Sequence, residues 1–375
     1  MEFQPYPFEK LQELIKDIGI NKDTIKLTIG EPQFATPAFV TQALKENVEL
    51  LNKYPKTAGE EELNSTIREF VKKRFNVELQ KNELLSTFGT REVLFNFPQF
   101  FLFSKENHTL AHPNPFYQIY EGAAIASRAK SIYMNLIEEN GFKPALSKEQ
   151  MQKCDLVILN SPNNPTGATL SLEELKQWVE NALEFDFLLL NDECYSEIYS
   201  KAKPSSILEA SLAVGNKEFK NILALNSISK RSNAPGLRSG FIAGDSKILS
   251  VYATYRTYIG CASPLPLQKA AIKAWGDLAH PQIARDEYAK NLSLAKEILG
   301  IEVPSETFYV WLKVEDDLEF TKKLLKEQNI LVLPGSFLSR TDENGVNPGK
   351  NYVRLALVYK EEKIKKALMG IKHCL

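Results

Sequence analysis

Neither acid nor base predominates in this chain: 46 Lys and Arg stand against 47 Asp and Glu, a formal net charge of −1. Without a basic surplus there is no electrostatic footprint for nucleic acid or an anionic membrane surface, and neither is expected as a partner. Cysteine is scarce. Cys154, Cys194, Cys261 and Cys374 lie far apart, with no CxxC spacing. That argues against a zinc site or a disulfide framework and for reduced thiols. His108, His112, His280 and His373 form no metal-spaced pair, so no metal is expected and all four read as structural or exposed. No apolar run reaches membrane-spanning length, and Met1 to Lys10 carries no basic-then-apolar leader pattern. The expected compartment is the cytoplasm. Internal repeats and low-complexity linkers are also missing.

What remains is an enzyme-like composition, 43% hydrophobic and 25% charged over 375 residues, enough for one large domain or two ordinary ones. Helical spacing at Phe8, Leu11, Ile15 and Ile18 predicts a short amphipathic N-terminal helix, and Ile25 to Ile29 reads as extended before Gly30-Glu-Pro32. Between about residues 80 and 245, short apolar runs alternate with helix-length segments. Asp155–Asn160, Phe185–Leu190, Asn221–Leu225 and Phe241–Ala243 read as buried strands, and Ser171-Leu-Glu-Glu174 as a capping box between the first two. The alternation predicts an α/β fold, a mostly parallel sheet between helices. Beyond about residue 280 come a long charged helix and strands near Tyr309–Leu312 and Tyr352–Leu357, a second, smaller α+β unit. Ser339 to Asn351 reads as an exposed loop. The expected division is 1–40 as an arm and part of the small unit, 41–280 as the large domain, and 281–375 as the small domain.

Open α/β sheets bind ligands beyond the carboxyl ends of their strands, and polar clusters fall at those ends. Asn160-Ser-Pro-Asn-Asn-Pro-Thr-Gly167 follows the first strand, Asn191-Asp-Glu-Cys-Tyr195 the second, and Ser227-Ile-Ser-Lys230, with Arg238 beyond it, the third. Gly89-Thr-Arg91 opens an earlier helix. Taken singly, each reads equally well as a turn, a helix cap or a solvated side chain. Their conjunction in this order calls for a ligand.

The order and spacing resemble the aspartate aminotransferase-like (class I/II, fold type I) family of pyridoxal-phosphate enzymes. The resemblance runs from Gly30 through Arg354 and departs from the lysine signature at Ser239, where an apolar residue is usual. It implies a large domain with a seven-stranded, mostly parallel sheet, a smaller α+β domain, and pyridoxal 5′-phosphate as cofactor. Lys230 would hold that cofactor as a Schiff base and then act as the proton-moving base. Asp192 would face the pyridine nitrogen, and Asn164 and Tyr195 the phenolic oxygen. Gly89, Thr90, Ser227, Ser229, Arg238 and, less directly, Arg91 would form the phosphate cradle. Tyr117 would stack on the ring, whereas Phe116 and Tyr120 read as core. Arg354 would grip the substrate α-carboxylate, with Gly30 close to that carboxylate and Asn164 beside it. Tyr54, in Tyr54-Pro-Lys-Thr-Ala-Gly59, would reach the phosphate of a neighbouring subunit, which implies a homodimer with shared sites.

Longer stretches, among them Gly89–Phe95, Pro113–Gly122, Ser229–Asp245 and Thr257–Cys261, are similar to the bacterial succinyldiaminopimelate aminotransferases. That similarity implies amino exchange between glutamate/2-oxoglutarate and N-succinyl-2-amino-6-oxopimelate, in lysine and peptidoglycan-precursor synthesis. Arg256 is a candidate for the distal carboxylate. An aspartate or aromatic aminotransferase, or a β-lyase, would use the same residues.

Overall fold

The computed structural model describes residues 3–375; Met1 and Glu2, the start of the segment read above for a leader, lie outside it. A seven-stranded sheet forms its centre, in the spatial order Leu84–Thr87, Gly240–Gly244, Ile222–Ser227, Leu188–Asp192, Leu156–Asn160, Thr109–Asn114, Lys130–Asn135. All run parallel except Gly240–Gly244, which opposes both its neighbours. The cause is the connection before it. A parallel return needs a crossover of a dozen or more residues, usually a helix. The chain between Ser227 and Gly240 holds only the short helix Ile228–Arg231 and a 3-10 turn at Pro235–Leu237, so it doubles back.

The central strands are apolar without a break because both faces are covered. Val157, Leu159 and Leu189 face a core that includes Phe70 and Trp275. Their neighbours Leu156, Ile158, Leu188 and Leu190 face the opposite core, with Phe97 and Tyr252. The helix after Leu156–Asn160 starts as expected: Ser171 Oγ accepts from the Glu174 amide at 3.3 Å and the Ser171 amide donates to Glu174 Oε2 at 2.8 Å.

A separate core joins Ile25 and Leu27 to Leu292, Leu312, Val353 and Leu368. Around it lie the helix Pro281–Leu299 and an antiparallel sheet of Leu333–Pro334, Tyr352–Ala356 and Tyr309–Lys313. Three readings need correction. The extended segment pairs as a strand at Ile25–Lys26 and continues through Leu27, whose amide donates to Leu331 O at 2.8 Å and whose carbonyl accepts from the Ala356 amide at 2.9 Å, whereas Ile29 is exposed. The N-terminal helix is Pro7–Leu14, and Ile18 lies beyond it in solvent while Leu11 and Ile15 pack on Leu333 and Leu338. The Ser339–Asn351 loop is exposed at Thr341, Glu343–Val346 and Lys350–Asn351, but it is anchored at its start and at Pro348–Gly349. Ser339 is buried and donates to Gly335 O at 3.1 Å, and Asn114 holds Arg340 through its backbone.

Candidate active site

The carboxyl ends of the sheet open into a cavity of about 480 Å³, which Tyr6, Pro7 and Phe8 of the N-terminal segment also line. Gly30, Thr90, Arg91, Tyr117, Asn164, Asp192, Tyr195, Ser227, Ser229, Lys230, Arg238 and Arg354 all line it. Register explains part of this convergence: Asn160 and Asp192 end adjacent parallel strands as direct partners, so the residues that follow them leave the sheet side by side.

Lys230 reaches in from the helix Ile228–Arg231, and its Nζ donates to Gly30 O at 2.5 Å. Burial lowers its ammonium from the usual 10.5 to about 8; Arg354 and Arg238 push the same way, against Cys194. The result is an amine that is easily freed. Asp192 is buried, and among the described residues no Lys, Arg or His is paired with it. Desolvation pushes its carboxyl up, opposed by hydrogen bonds from Cys194 and Tyr120. Tyr120, read above as core, is buried and also donates to Asp192 Oδ2 at 2.9 Å. Its hydroxyl therefore works on the acid, and Tyr120→Phe should weaken cofactor binding roughly tenfold, the worth of one bond to a buried charge. Fluorescence titration of the stripped protein checks this; an unchanged dissociation constant would show the bond to be idle.

A corner of donors lies at the start of the helix Thr90–Leu102. Gly89 precedes it with φ 74°, and a side chain there would meet the Arg238 guanidinium at 2.1 Å. Arg238 is held by carbonyls alone, Pro235 O at 2.9 Å and Phe88 O at 3.2 Å, which leaves its charge unneutralised. Ser227 Oγ and Ser229 Oγ sit 2.8 Å apart, and Thr90 Oγ1 lies 3.1 Å from Cys194 Sγ. Backbone amides at a helix start, three hydroxyls and a guanidinium with no acid partner make an anion site. Ser239 breaks the usual pattern without cost, because its buried hydroxyl accepts from Trp275 Nε1 at 3.1 Å.

Opposite, Arg354 is buried and extends NH1 to Asn164 Oδ1 at 2.7 Å and NH2 to Thr28 O at 2.5 Å, leaving Nε without a partner. Its guanidinium lies 4.6 Å from the Tyr309 ring centroid, and Tyr309 Oη is 3.1 Å from Tyr195 Oη. Sequence reasoning missed Tyr309, which appears there only as a strand residue; no motif marks it. It also supplies the reason for Gly30, since a Cβ there would fall 1.8 Å from Tyr309 Oη.

Three candidate residues do not line the cavity: Gly89, whose neighbours Thr90 and Arg238 do, Tyr54 and Arg256. Tyr54 is fully exposed, 101% relative to a free residue, and does not line the cavity of its own chain. Arg256 is buried at the base of the Gly89 loop, bonded to Glu92 at 2.6 Å and to carbonyls of Thr57, Ser86 and Cys261. It cannot meet a distal carboxylate, so that expectation is overturned. Arg91 does reach the cavity, where its Nε donates to Tyr117 Oη at 2.8 Å. His112 is buried against Pro113 O, and no group of metal-ligating residues exists among the described residues. Nor is any helix among them long and apolar enough to cross a membrane.

A buried lysine, a buried acid with no cation and an anion corner share one cavity, an arrangement suited to a phosphorylated aldehyde cofactor. Residues 22–371 match the family described as aminotransferase class I and II, and the chain belongs to that family of pyridoxal-phosphate-dependent aminotransferases. Among curated relatives, an LL-diaminopimelate aminotransferase of Natranaerobius thermophilus is 32% identical, covering 98% of this chain and 96% of its own length. Among solved structures, the aminotransferase AspB of Helicobacter pylori superposes with a TM-score of 0.96 at 52% identity, covering 100% of this chain and 99% of its own. An aminotransferase of Neisseria meningitidis gives 0.93 at 39%, covering 99% and 97%. The residues present fit pyridoxal 5′-phosphate. Asp192, buried with no cation beside it, suits a protonated ring nitrogen, and the Gly89–Arg238 corner suits a phosphate.

Proposed function

We propose that this enzyme moves an amino group between glutamate/2-oxoglutarate and an amino acid of the diaminopimelate type, free or N-succinylated. The observation that carries the reading is that Lys230, Asp192, Arg238 and Arg354 all line one cavity at the carboxyl ends of the sheet. Bound pyridoxal phosphate supplies the electron sink that makes the substrate's α-proton removable. The chain's own groups do the rest. Lys230 would hold the aldehyde and, once displaced by substrate, its Nζ would accept the α-proton and deliver it across the bridging nitrogen to the cofactor's carbon, a 1,3-transfer. Asp192 keeps a proton on the ring nitrogen, and Tyr117 covers a ring face. Asn164 and Tyr195 stabilise the phenolic oxygen, and Tyr309 orients Tyr195. Gly89, Thr90, Ser227, Ser229 and Arg238 hold the phosphate. Arg354 takes the α-carboxylate in a two-pronged grip through NH1 and the second hydrogen of NH2, NH1 being freed once Asn164 turns to the cofactor.

A glutamate or diaminopimelate skeleton carries a second carboxylate. Of the cavity's cations among the described residues, Lys230, Arg238 and Arg354 have firmer tasks, so Arg91, expected above only as an outlying member of the phosphate cradle, is the one assigned to it here. Arg91→Met should raise KM for glutamate roughly tenfold or more while sparing a monocarboxylic donor such as alanine; equal losses on both would remove Arg91 from this role. The donor–acceptor panel itself tests the reading. With 2-oxoglutarate as acceptor, LL-diaminopimelate and its N-succinyl derivative should both outpace aspartate and phenylalanine. Release of ammonia from a β-substituted amino acid, without pyridoxamine formation, would instead favour a lyase.

The same reading includes a homodimer in the cytoplasm. Fully exposed Tyr54 stands beside exposed Val48 and Leu51, and Val251 and Tyr258 are also uncovered, an apolar surface of the kind that subunits bury. Tyr54 would then complete the partner's phosphate site.

A further inference from the structure

The Gly89 loop and the loop carrying Tyr54 are far apart in sequence, yet one buried guanidinium holds both. Arg256 projects from the helix Ser246–Ile259 and its side chain is 1% exposed. NH1 donates to Thr57 O and to Ser86 O, each at 3.0 Å, and NH2 donates to Glu92 Oε1 at 2.6 Å and Cys261 O at 3.0 Å. Thr57 lies three residues beyond Tyr54, and Ser86 three before Gly89. Glu92 completes the arrangement from the first turn of the helix Thr90–Leu102. It accepts from the Phe88 amide at 3.2 Å and from Asn96 Nδ2 at 3.3 Å. Phe88 is therefore clamped from both sides, its amide on Glu92 and its carbonyl under Arg238 at 3.2 Å. The next peptide opens the anion corner.

We propose that Arg256 and Glu92 are positioning residues for the cofactor phosphate: the pair sets the Ser86–Thr90 loop of its own subunit and, through Thr57, the Tyr54 loop that serves the neighbouring one. Neither side chain reaches the cavity. Their action is geometric, and geometry matters because donors displaced by about 1 Å lose most of a charge-assisted bond. The inference rests on the phosphate and Tyr54 assignments proposed above, and the test is built to tell the two apart.

The test compares binding of pyridoxal phosphate and of pyridoxal, which lacks the phosphate, to the stripped full-length protein by fluorescence titration. The variants are Arg256→Met with Glu92→Gln, which removes the pair without leaving a buried charge alone, and Glu92→Gln alone, which keeps an amide oxygen and the three carbonyls as acceptors for Arg256 while removing its counter-charge. Circular dichroism and sedimentation report folding and assembly. The double variant should bind pyridoxal phosphate ~10-fold or more weaker with pyridoxal affinity nearly unchanged, and Glu92→Gln should show a smaller loss of the same kind. Equal losses for both ligands, or no loss, would overturn the proposal by showing a purely structural pair. Should the double variant not fold, Glu92→Gln decides by the same criterion. Arg238→Met is the control on the underlying reading: if it leaves the preference for the phosphorylated ligand intact, the phosphate corner is misassigned and this proposal falls with it. If Arg238→Met erases the preference and the Arg256 variant does not, only the present proposal fails. Finally, on a Tyr54→Phe background the double variant should cost less than on the wild type, since part of its effect runs through Tyr54. Strictly additive losses would refute the link between the two loops.

Discussion

Lys230→Ala should abolish transamination, with turnover reduced by about 10⁴-fold or more, because one side chain both holds the cofactor and moves the proton. The fold should survive. Lys230 stands at the wall of an open cavity and its Nζ has one protein partner, Gly30 O, so truncation leaves a carbonyl facing space that water can fill. The variant should still take up cofactor through its phosphate contacts, released by acid without borohydride trapping. Trapping with borohydride should label the peptide containing Lys230 in the wild type, and a label on any other lysine would end the assignment. The pH dependence has a defined sign. The amine's native value, about 8, lies below its ordinary 10.5, so the unfolded chain binds more protons between the two. The stripped protein therefore gains stability as pH rises from about 8 toward 10.5, and the Lys230 amine becomes free to capture cofactor over the lower part of that range. Stopped-flow reconstitution should show the capture rate climbing through pH 8, and a flat profile would mean that Lys230 is not the limiting nucleophile.

Arg354→Ala should cost roughly 2–5 kcal/mol in kcat/KM for every amino-acid donor, tens- to thousands-fold, because a buried carboxylate loses its two-pronged partner. The loss should be indifferent to the donor's side chain, unlike that of Arg91→Met. Arg354→Lys should recover little, since a point charge cannot reproduce the planar grip and would leave Asn164 Oδ1 or Thr28 O without its donor. Steady-state kinetics with glutamate, alanine and diaminopimelate give the comparison, and retention of normal KM for all three would move the α-carboxylate to another arginine.

Much of this was readable from residue order because the chemistry is local in sequence. Lys230 and Arg238 lie on one short connection, and Asp192 and Tyr195 leave the same strand end. The apolar strands with polar ends announced a covered parallel sheet and the rim where its ligand would sit, since a strand buried on both faces must be apolar throughout. Other roles were invisible for an equally physical reason. Tyr120 and Tyr309 look like core aromatics, and only the packing shows Tyr120 pressing its hydroxyl on Asp192, or Tyr309 stacking on Arg354 and meeting Tyr195. Arg256 illustrates the opposite error: its position beside Thr257 suggested a substrate cation, whereas its helix turns it inward onto Glu92 and three carbonyls.

By itself, the sequence determined the family, the fold class and the set of polar strand ends, and it singled out Lys230 as the candidate amine, because each is written in contiguous residues whose spacing the backbone preserves. Only the tertiary structure decided which way Gly240–Gly244 runs, why Gly30 has no side chain, and which arginine faces the cavity. Those outcomes depend on contacts between residues hundreds of positions apart, such as Gly30 with Tyr309 or Arg354 with Thr28, and no local pattern encodes the direction in which a side chain ends up pointing.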